Sequence, residues 1–387
     1  MKAQEIKKGI YWVGGIDWDL RNFHGYTTHR GSTYNAYLII DEKVTLIDTV
    51  KYYLADEMIA RIKSVIDPSK IDYIVSNHVE MDHSGALPDI LKHCPNAKVF
   101  TSPNGEKGLK MHYDCLKDLE VVNTGDSISL GKRTLQFVLT QMVHWPDSMV
   151  TYIPEEKLLL PNDAFGQHIA SSERFDDEIG WDIAKEEAEK YYANIVLPYG
   201  NQVQKALEAV GSLDIDMVAP SHGIIWREHI KDIIGLYSKW ANNETEEKAL
   251  VIYDTMWHST EKMAEAIFEA CDEQGINASK VDLKVSDMSD VMTHVLTAKY
   301  IFIGSPTLNN GMLPTVAGFL TYLKGLAPKG RKGLAFGSYG WGGQSIKEIH
   351  DILESAGFDM MDPIRVQYVP SKEFLREVKE KIKGGIS

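Results

Sequence analysis

The run Asn77-His78-Val79-Glu80-Met81-Asp82-His83-Ser84-Gly85 constrains this chain more than any other. Four potential metal ligands fall within six residues, directly after the apolar run Ile71 to Val75. In extended backbone, residues two apart point the same way, so His78 and Glu80 can reach one ion while Asp82 and His83 face a second beside it. Three further candidates lie on separate segments: His144 in His-Trp-Pro-Asp-Ser, Asp163 in Pro-Asn-Asp-Ala-Phe-Gly and His222 in Pro-Ser-His-Gly. His144 can complete the first site and His222 the second. Asp163 can bridge, because a carboxylate has two oxygens for two metals. The set mixes imidazole with carboxylate and contains no thiolate, which suits iron, manganese or zinc. Taken singly, each residue has an ordinary explanation: a His-x-Glu or Asp-His pair is commonly a surface cluster, and His144 can cap a turn before Pro146. Their order and joint occurrence carry the reading.

At 387 residues the chain is long enough for two or three domains. Its net charge of -14 argues against nucleic acid as the main partner. No apolar run of eighteen residues occurs, so no membrane span is expected. The first residues, Met-Lys-Ala-Gln-Glu-Ile-Lys-Lys, lack the apolar stretch of a secretion signal. The cysteines Cys94, Cys115 and Cys271 are scattered, with no Cys-x-x-Cys. Neither a disulfide framework nor a rubredoxin-type iron site is encoded, and a cytoplasmic setting is expected.

The polar, acidic segment Asn242-Asn243-Glu244-Thr245-Glu246-Glu247-Lys248 separates two differently patterned halves. It is read as a linker, giving domains 1–247 and 248–387. Before it, strands are predicted over 37–40, 44–47, 71–75, 98–100, 135–139, 149–153, 158–160 and 217–219, with helices over 54–66 and 181–196. This mixture implies an α/β sandwich, and the candidate ligands sit just beyond strand ends, where loops carry function on a rigid frame. After it, strands over 249–253, 300–303, 333–336 and 364–368 alternate with helices over 260–271, 316–323, 346–355 and 372–383. Such alternation gives a doubly wound parallel sheet with ligands at the strand C-termini.

Three loops of the second half meet that expectation. Asp254-Thr255-Met256-Trp257-His258-Ser259-Thr260 opens a helix, and hydroxyls with free N–H groups at a helix N-terminus bind phosphate. Ser305-Pro306-Thr307-Leu308-Asn309-Asn310-Gly311 and Gly337-Ser338-Tyr339-Gly340-Trp341-Gly342-Gly343 can wrap an aromatic ring, with Tyr339 or Trp341 alongside its face. Loop glycines often only permit tight turns; three loops at the expected strand ends make a flavin the better reading. No Gly-x-Gly-x-x-Gly fingerprint is present, so no tightly bound NAD or FAD is expected.

The series His-x-Glu-x-Asp-His, His-x-Pro, Asn-Asp and Ser-His-Gly resembles the metallo-β-lactamase fold, whose zinc hydrolases usually carry histidine where this chain has Glu80. The glutamate version followed by a flavodoxin-like half resembles the flavodiiron proteins over nearly the whole chain. The phosphate loop departs from the Thr-x-Asn-Thr ending of simple flavodoxins. The resemblance implies an N-terminal αββα sandwich, FMN, and a non-haem diiron site with His78, Glu80 and His144 on one iron, Asp82, His83 and His222 on the other, and Asp163 bridging. It implies an oxygen or nitric oxide reductase and a head-to-tail homodimer, or a dimer of such dimers. Rubredoxin, or a reduced deazaflavin, would supply the electrons. Two rivals share these residues: a zinc hydrolase fused to an FMN domain, which Glu80 counts against, and an electron carrier without catalysis, which the full ligand set counts against. His24 is expected either just outside the ligands or in an ordinary structural role. His29, His93, His112, His168, His229, His294 and His350 are expected as surface or core residues.

Overall fold

The computed structural model describes residues 1–386. Two large sheets build the N-terminal half, beside two small two-stranded ones, Gly15–Asp17 with Ser32–Tyr34 and Asn22–Phe23 with Tyr26–Thr27. The first runs Gln4–Lys7, Ile10–Trp12, Tyr37–Ile39, Thr45–Ile47, Tyr73–Ser76, Lys98–Thr101, Leu119–Val121. Its first four strands pair antiparallel and the rest parallel. The second runs Ser127–Ser129, Thr134–Leu139, Met149–Ile153, Leu158–Leu160, Met217–Val218, with only the last pairing parallel.

Alternation along the strands sorts the side chains into layers. Tyr37, Ile39, Ile47, Val75 and Phe100 share one core with Phe137, Met149, Ile153, Leu158 and Leu160, so the two sheets pack face to face. Leu38, Leu46, Ile74 and Val99, from the other face of the first sheet, share a second core with Met58, Ile62, Ile90 and Leu109. Those four come from the helices Ala55–Lys63, Leu87–His93 and Pro103–His112. Val150 and Leu159, on the outer face of the second sheet, meet Val203 and Val210 of the helix Gly200–Val210. The result is the expected helix–sheet–sheet–helix sandwich. Each fully buried Leu, Ile or Phe contributes about 1.5–3 kcal/mol.

The C-terminal half is a parallel sheet in the order Asn277–Asp282, Glu246–Tyr253, Ala298–Gly304, Lys332–Tyr339, Asp359–Met360, with Ile364–Gln367 also pairing Lys332–Tyr339. Numbered along the chain, that is the order 2-1-3-4-5 of flavodoxin-like sheets, whose ligands bind where the order reverses. Ala249 to Tyr253 are all buried, as a strand covered on both faces requires. Ala249, Val251, Phe302 and Phe336 pack with Met263, Ile267, Val378 and Ile382 of the helices Ser259–Glu273 and Lys372–Ile386.

One boundary differs from expectation. The segment read as a linker is already strand from Glu246, and Glu246 N–H bonds the Thr297 carbonyl. Glu246 and Glu247 are exposed at the strand's start, so their charge hides the pairing of their backbone. No helix among the described residues is long and apolar enough to cross a membrane.

Candidate metal centre and flavin pocket

The loops that carry the seven candidate ligands leave the C-terminal ends of the strands Tyr73–Ser76, Thr134–Leu139, Leu158–Leu160 and Met217–Val218. The backbone is extended through Glu80 (φ -55°, ψ 142°) and turns helical over Met81–Ser84. His78 and Glu80 therefore share a direction, and the turn carries Asp82 and His83 onward. The structure brings the seven together in two groups whose donor atoms lie within 4.8 Å of one another: His78, Glu80, His144 and Asp163; and Asp82, His83 and His222.

Asp163 lies between them. Its Oδ1 is 2.9 Å from His83 Nε2 and 3.3 Å from His222 Nε2; its Oδ2 is 3.4 Å from His144 Nε2 and 3.6 Å from His78 Nε2. Glu80 Oε2 approaches His78 Nε2 at 3.4 Å and His144 Nε2 at 3.6 Å. Asp82 Oδ2 is 3.2 Å from His222 Nε2, and Asp82 Oδ1 is 3.4 Å from His83 Nε2. Two imidazoles are aimed from behind. His78 Nδ1 donates to Asp147 Oδ2 at 2.8 Å, and His222 Nδ1 donates to the Thr33 carbonyl at 2.8 Å. Each keeps its Nε2 lone pair facing the centre, the arrangement that fixes a metal-binding tautomer.

The chemistry of this set fits a metal pair. Both oxygens of Asp82, both oxygens of Asp163 and both ring nitrogens of His83 are buried without a hydrogen-bond partner. Buried polar atoms left unmatched cost about 1–3 kcal/mol each, and cations taken up by the four carboxylate oxygens and by His83 Nε2 would remove that cost at those atoms. Without a metal, charge is balanced by protons. Burial opposes a charge on His222, but the carboxylates of Asp163 and Asp82, 3.3 and 3.2 Å from its Nε2, outweigh this and raise its pKa to about 10. Burial likewise opposes a charge on His78, whose bonds to Asp147 and Glu80 raise it nonetheless. Asp163 is held well below the usual carboxylate range, its burial outweighed by His83, His144 and His222.

Three residues, Asp147, Asp48 and Thr33, escaped the sequence reading. Asp147, three residues after His144, holds both His78 and the Val79 N–H. Asp48, at a left-handed φ of 54°, accepts from the Asn77 N–H at 2.7 Å and from the Asn77 and Asn162 side chains. Asn162 in turn donates to Ser221 Oγ. One buried carboxylate thus joins the neighbours of His78, Asp163 and His222. Its signal was an aspartate closing the apolar run 44–47. Thr33 came with no motif. His168, expected among the surface or core residues, is a core residue beside the centre, its ring 4.8 Å from His222 and its Nδ1 2.8 Å from Ser32 Oγ. Burial and the nearby His222 keep it neutral. His24 stands just outside the ligands, Nε2 3.5 Å from Glu80 Oε1.

At the C-terminal edge of the parallel sheet lies a cavity of about 740 Å³, within the roughly 300–1,000 Å³ of small-molecule sites. Of the expected residues, Met256, Trp257, Ser259, Pro306, Thr307, Leu308, Asn309, Asn310, Ser338, Tyr339, Gly340, Trp341 and Gly342 line it. The other five do not line it. Thr255 is buried, and its hydroxyl has no partner, at the loop that opens the helix Ser259–Glu273. Thr260 pairs with Ser338 at 3.0 Å, and His258 with Glu261 at 2.6 Å. Gly311 closes a turn with Leu308, and Gly343 precedes the helix Gln344–Ser355. Gln344, Tyr368 and Val369 complete the wall. Tyr368 and Val369 follow the strand Ile364–Gln367, and their position at a strand end was a signal the sequence offered. An apolar slot beside an unmatched hydroxyl at a helix N-terminus fits a planar ring carrying a phosphate.

Two family models match separate stretches of the chain. The family described as ODP family beta lactamase matches residues 33–223, and that described as Flavodoxin matches residues 251–381. A flavodiiron protein from Giardia intestinalis superposes with a TM-score of 0.97 at 35% identity, over 99% of this chain and 96% of that one. The rubredoxin-oxygen oxidoreductase of Megalodesulfovibrio gigas is 44% identical over 98% of this chain and 96% of its own length. This chain belongs to the flavodiiron family. The nitric oxide reductase of Moorella thermoacetica, 48% identical over 97% of this chain and 96% of its own length, is another relative. As a flavodiiron protein the chain is an oxidoreductase that uses FMN and a pair of iron ions.

Proposed function

We propose that this flavodiiron protein reduces dioxygen to water, nitric oxide to nitrous oxide, or both. The single observation that carries the reading is Asp163, whose two oxygens each face a different pair of histidines. In this reading His78, Glu80 and His144 hold one iron, Asp82, His83 and His222 the other, and Asp163 joins them. Two ferrous ions and a two-electron-reduced flavin together supply the four electrons that dioxygen needs, and two of those suffice for a pair of nitric oxide molecules. The chain's part is to aim the ligands through Asp147, Thr33 and Asp48, and to keep the centre dry, since five of the seven ligands are buried and the side chains of His144 and Glu80 are only 15% and 16% exposed. The loops carrying Thr255, Ser259, Thr307, Asn309 and Tyr339 hold FMN.

We place electron entry at FMN, from rubredoxin or a reduced deazaflavin; a relative whose name pairs rubredoxin with oxygen supports the first. The working unit is proposed as a head-to-tail homodimer, or a dimer of such dimers, in which FMN of one protomer serves the irons of its partner. Trp257, 86% exposed, and Trp341, 93% exposed, rim the flavin cavity and support its docking against another surface. A reducing cytoplasm suits three cysteines that are all free.

The test is consumption of each gas by iron- and FMN-loaded protein supplied with reduced rubredoxin. Turnover of at least one gas, lost in Asp163→Ala, is the expected result. Lactam or thioester hydrolysis without gas consumption would favour the zinc hydrolase instead.

A further inference from the structure

A second cavity, unconnected with the flavin, lies on the outer face of the second sheet. It sits between the strands Met149–Ile153 and Leu158–Leu160 and the helix Gly200–Val210, with a volume of about 20 Å³. Roughly 10–15 Å³ of such space admits one water-sized molecule, so a single small guest fits. Val143, Val150, Ala164, Phe165, Val203 and Leu207 supply hydrocarbon walls. The Tyr237 hydroxyl, on the same wall, is engaged by the Phe165 N–H at 2.7 Å. Thr140 also lines the space, but the surface turned toward the cavity is apolar throughout; a buried water needs two to four polar partners, whereas an uncharged, apolar guest needs none. Position adds the second half of the argument. Val143 directly precedes His144, and Ala164 directly follows Asp163, so the chain neighbours of two candidate ligands form part of the wall. On the helix side Ala206 and Leu207 are only partly buried, so the other end approaches the surface.

We propose that this cavity is a docking site for the uncharged diatomic substrate, dioxygen or nitric oxide, on its way from solvent to the metal centre. The inference rests on the reading of the chain as a gas reductase and adds the place where the gas waits. The space is too small for a lactam or a thioester, and its walls reject ions. A diatomic gas loses no hydrogen bond on entering and gains dispersion contacts on every side.

The probe is xenon, an apolar atom of comparable size. Crystals of the iron- and FMN-loaded protein under xenon pressure should show an anomalous peak between Val150 and Val203. Ala206→Phe, which fills the space, should abolish that peak and lower kcat/KM for each gas the protein reduces several-fold. The kcat at saturating gas and the iron and FMN contents should stay unchanged. Ala209→Phe, the same change at an exposed position of the same helix that does not line the cavity, should leave all of these alone. Val203→Leu, a smaller filling, takes the place of Ala206→Phe if that variant does not fold. An empty cavity in an active protein, or an unchanged kcat/KM once it is filled, overturns the docking role alone. A loaded wild-type protein that reduces neither gas overturns the proposed function together with the docking role.

Discussion

Asp163 concentrates the account in one side chain. Fully buried, it faces four histidines and has no hydrogen-bond partner of its own. Asp163→Ala should therefore empty both iron positions together while FMN stays bound, as counted by iron and flavin per chain; two irons retained would refute the bridge. Asp147 acts one step back. Asp147→Asn keeps the shape but weakens the acceptor for His78 Nδ1, so iron affinity should fall about 10–100-fold, read by competition with a chelator. An unchanged affinity would leave Asp147 a purely structural role. The protons that balance the metal-free centre give a third expectation. His222 is raised to about 10 in the fold, against about 6.5 in an unfolded chain. Its contribution to the metal-free fold is complete below about pH 6.5 and is lost as pH rises through about 10. The Tm of iron-stripped protein should accordingly fall between those pH values, and iron loading should remove that fall by displacing the protons. A flat Tm profile for the stripped protein would contradict this charge balance.

At the scale of elements, the loops at the sheet ends decide whether FMN binds. Thr255→Val removes a buried hydroxyl that has no partner in the protein, so FMN affinity should drop while iron content stays, by flavin titration and metal analysis. Gly337 lies where the strand Lys332–Tyr339 passes the loop from Ser305. A Cβ there would stand 2.0 Å from the Ser305 carbonyl oxygen. Gly337→Ala should cost about 1–3 kcal/mol and weaken FMN. Gly325→Ala, in the exposed last turn of the helix Pro314–Leu326 with open space around it, should be neutral or stabilise by about 0.5–1 kcal/mol. Tm and flavin fluorescence read both. These elements differ in how visible they are in the sequence. The strands buried on both faces, such as Ala249 to Tyr253, announce themselves as apolar runs. The edge strand Asn277–Asp282 is largely exposed and reads as polar chain, and the three-residue strands Ile10–Trp12 and Ser127–Ser129 are too short for a period to register. Among site residues, the imidazoles and carboxylates in motifs were legible. Asp48, Thr33 and His168 act through contacts across 29 to 189 residues of chain, which no local pattern reports.

For the whole molecule, the proposed dimer predicts complementation between damaged protomers. Asp163→Ala and Thr255→Val chains, each inactive alone, should recover part of the activity when mixed and reassembled, because some mixed dimers pair intact irons with intact FMN; no recovery would point to transfer within one chain. The central claim is nonetheless chemical: Glu80, standing where the zinc hydrolases of this fold usually carry histidine, makes a redox iron pair. Its most direct test is the metal content of purified protein expressed with both metals available, counted as iron and zinc per chain. The account predicts close to two irons and almost no zinc. Two zincs persisting under ample iron would contradict it.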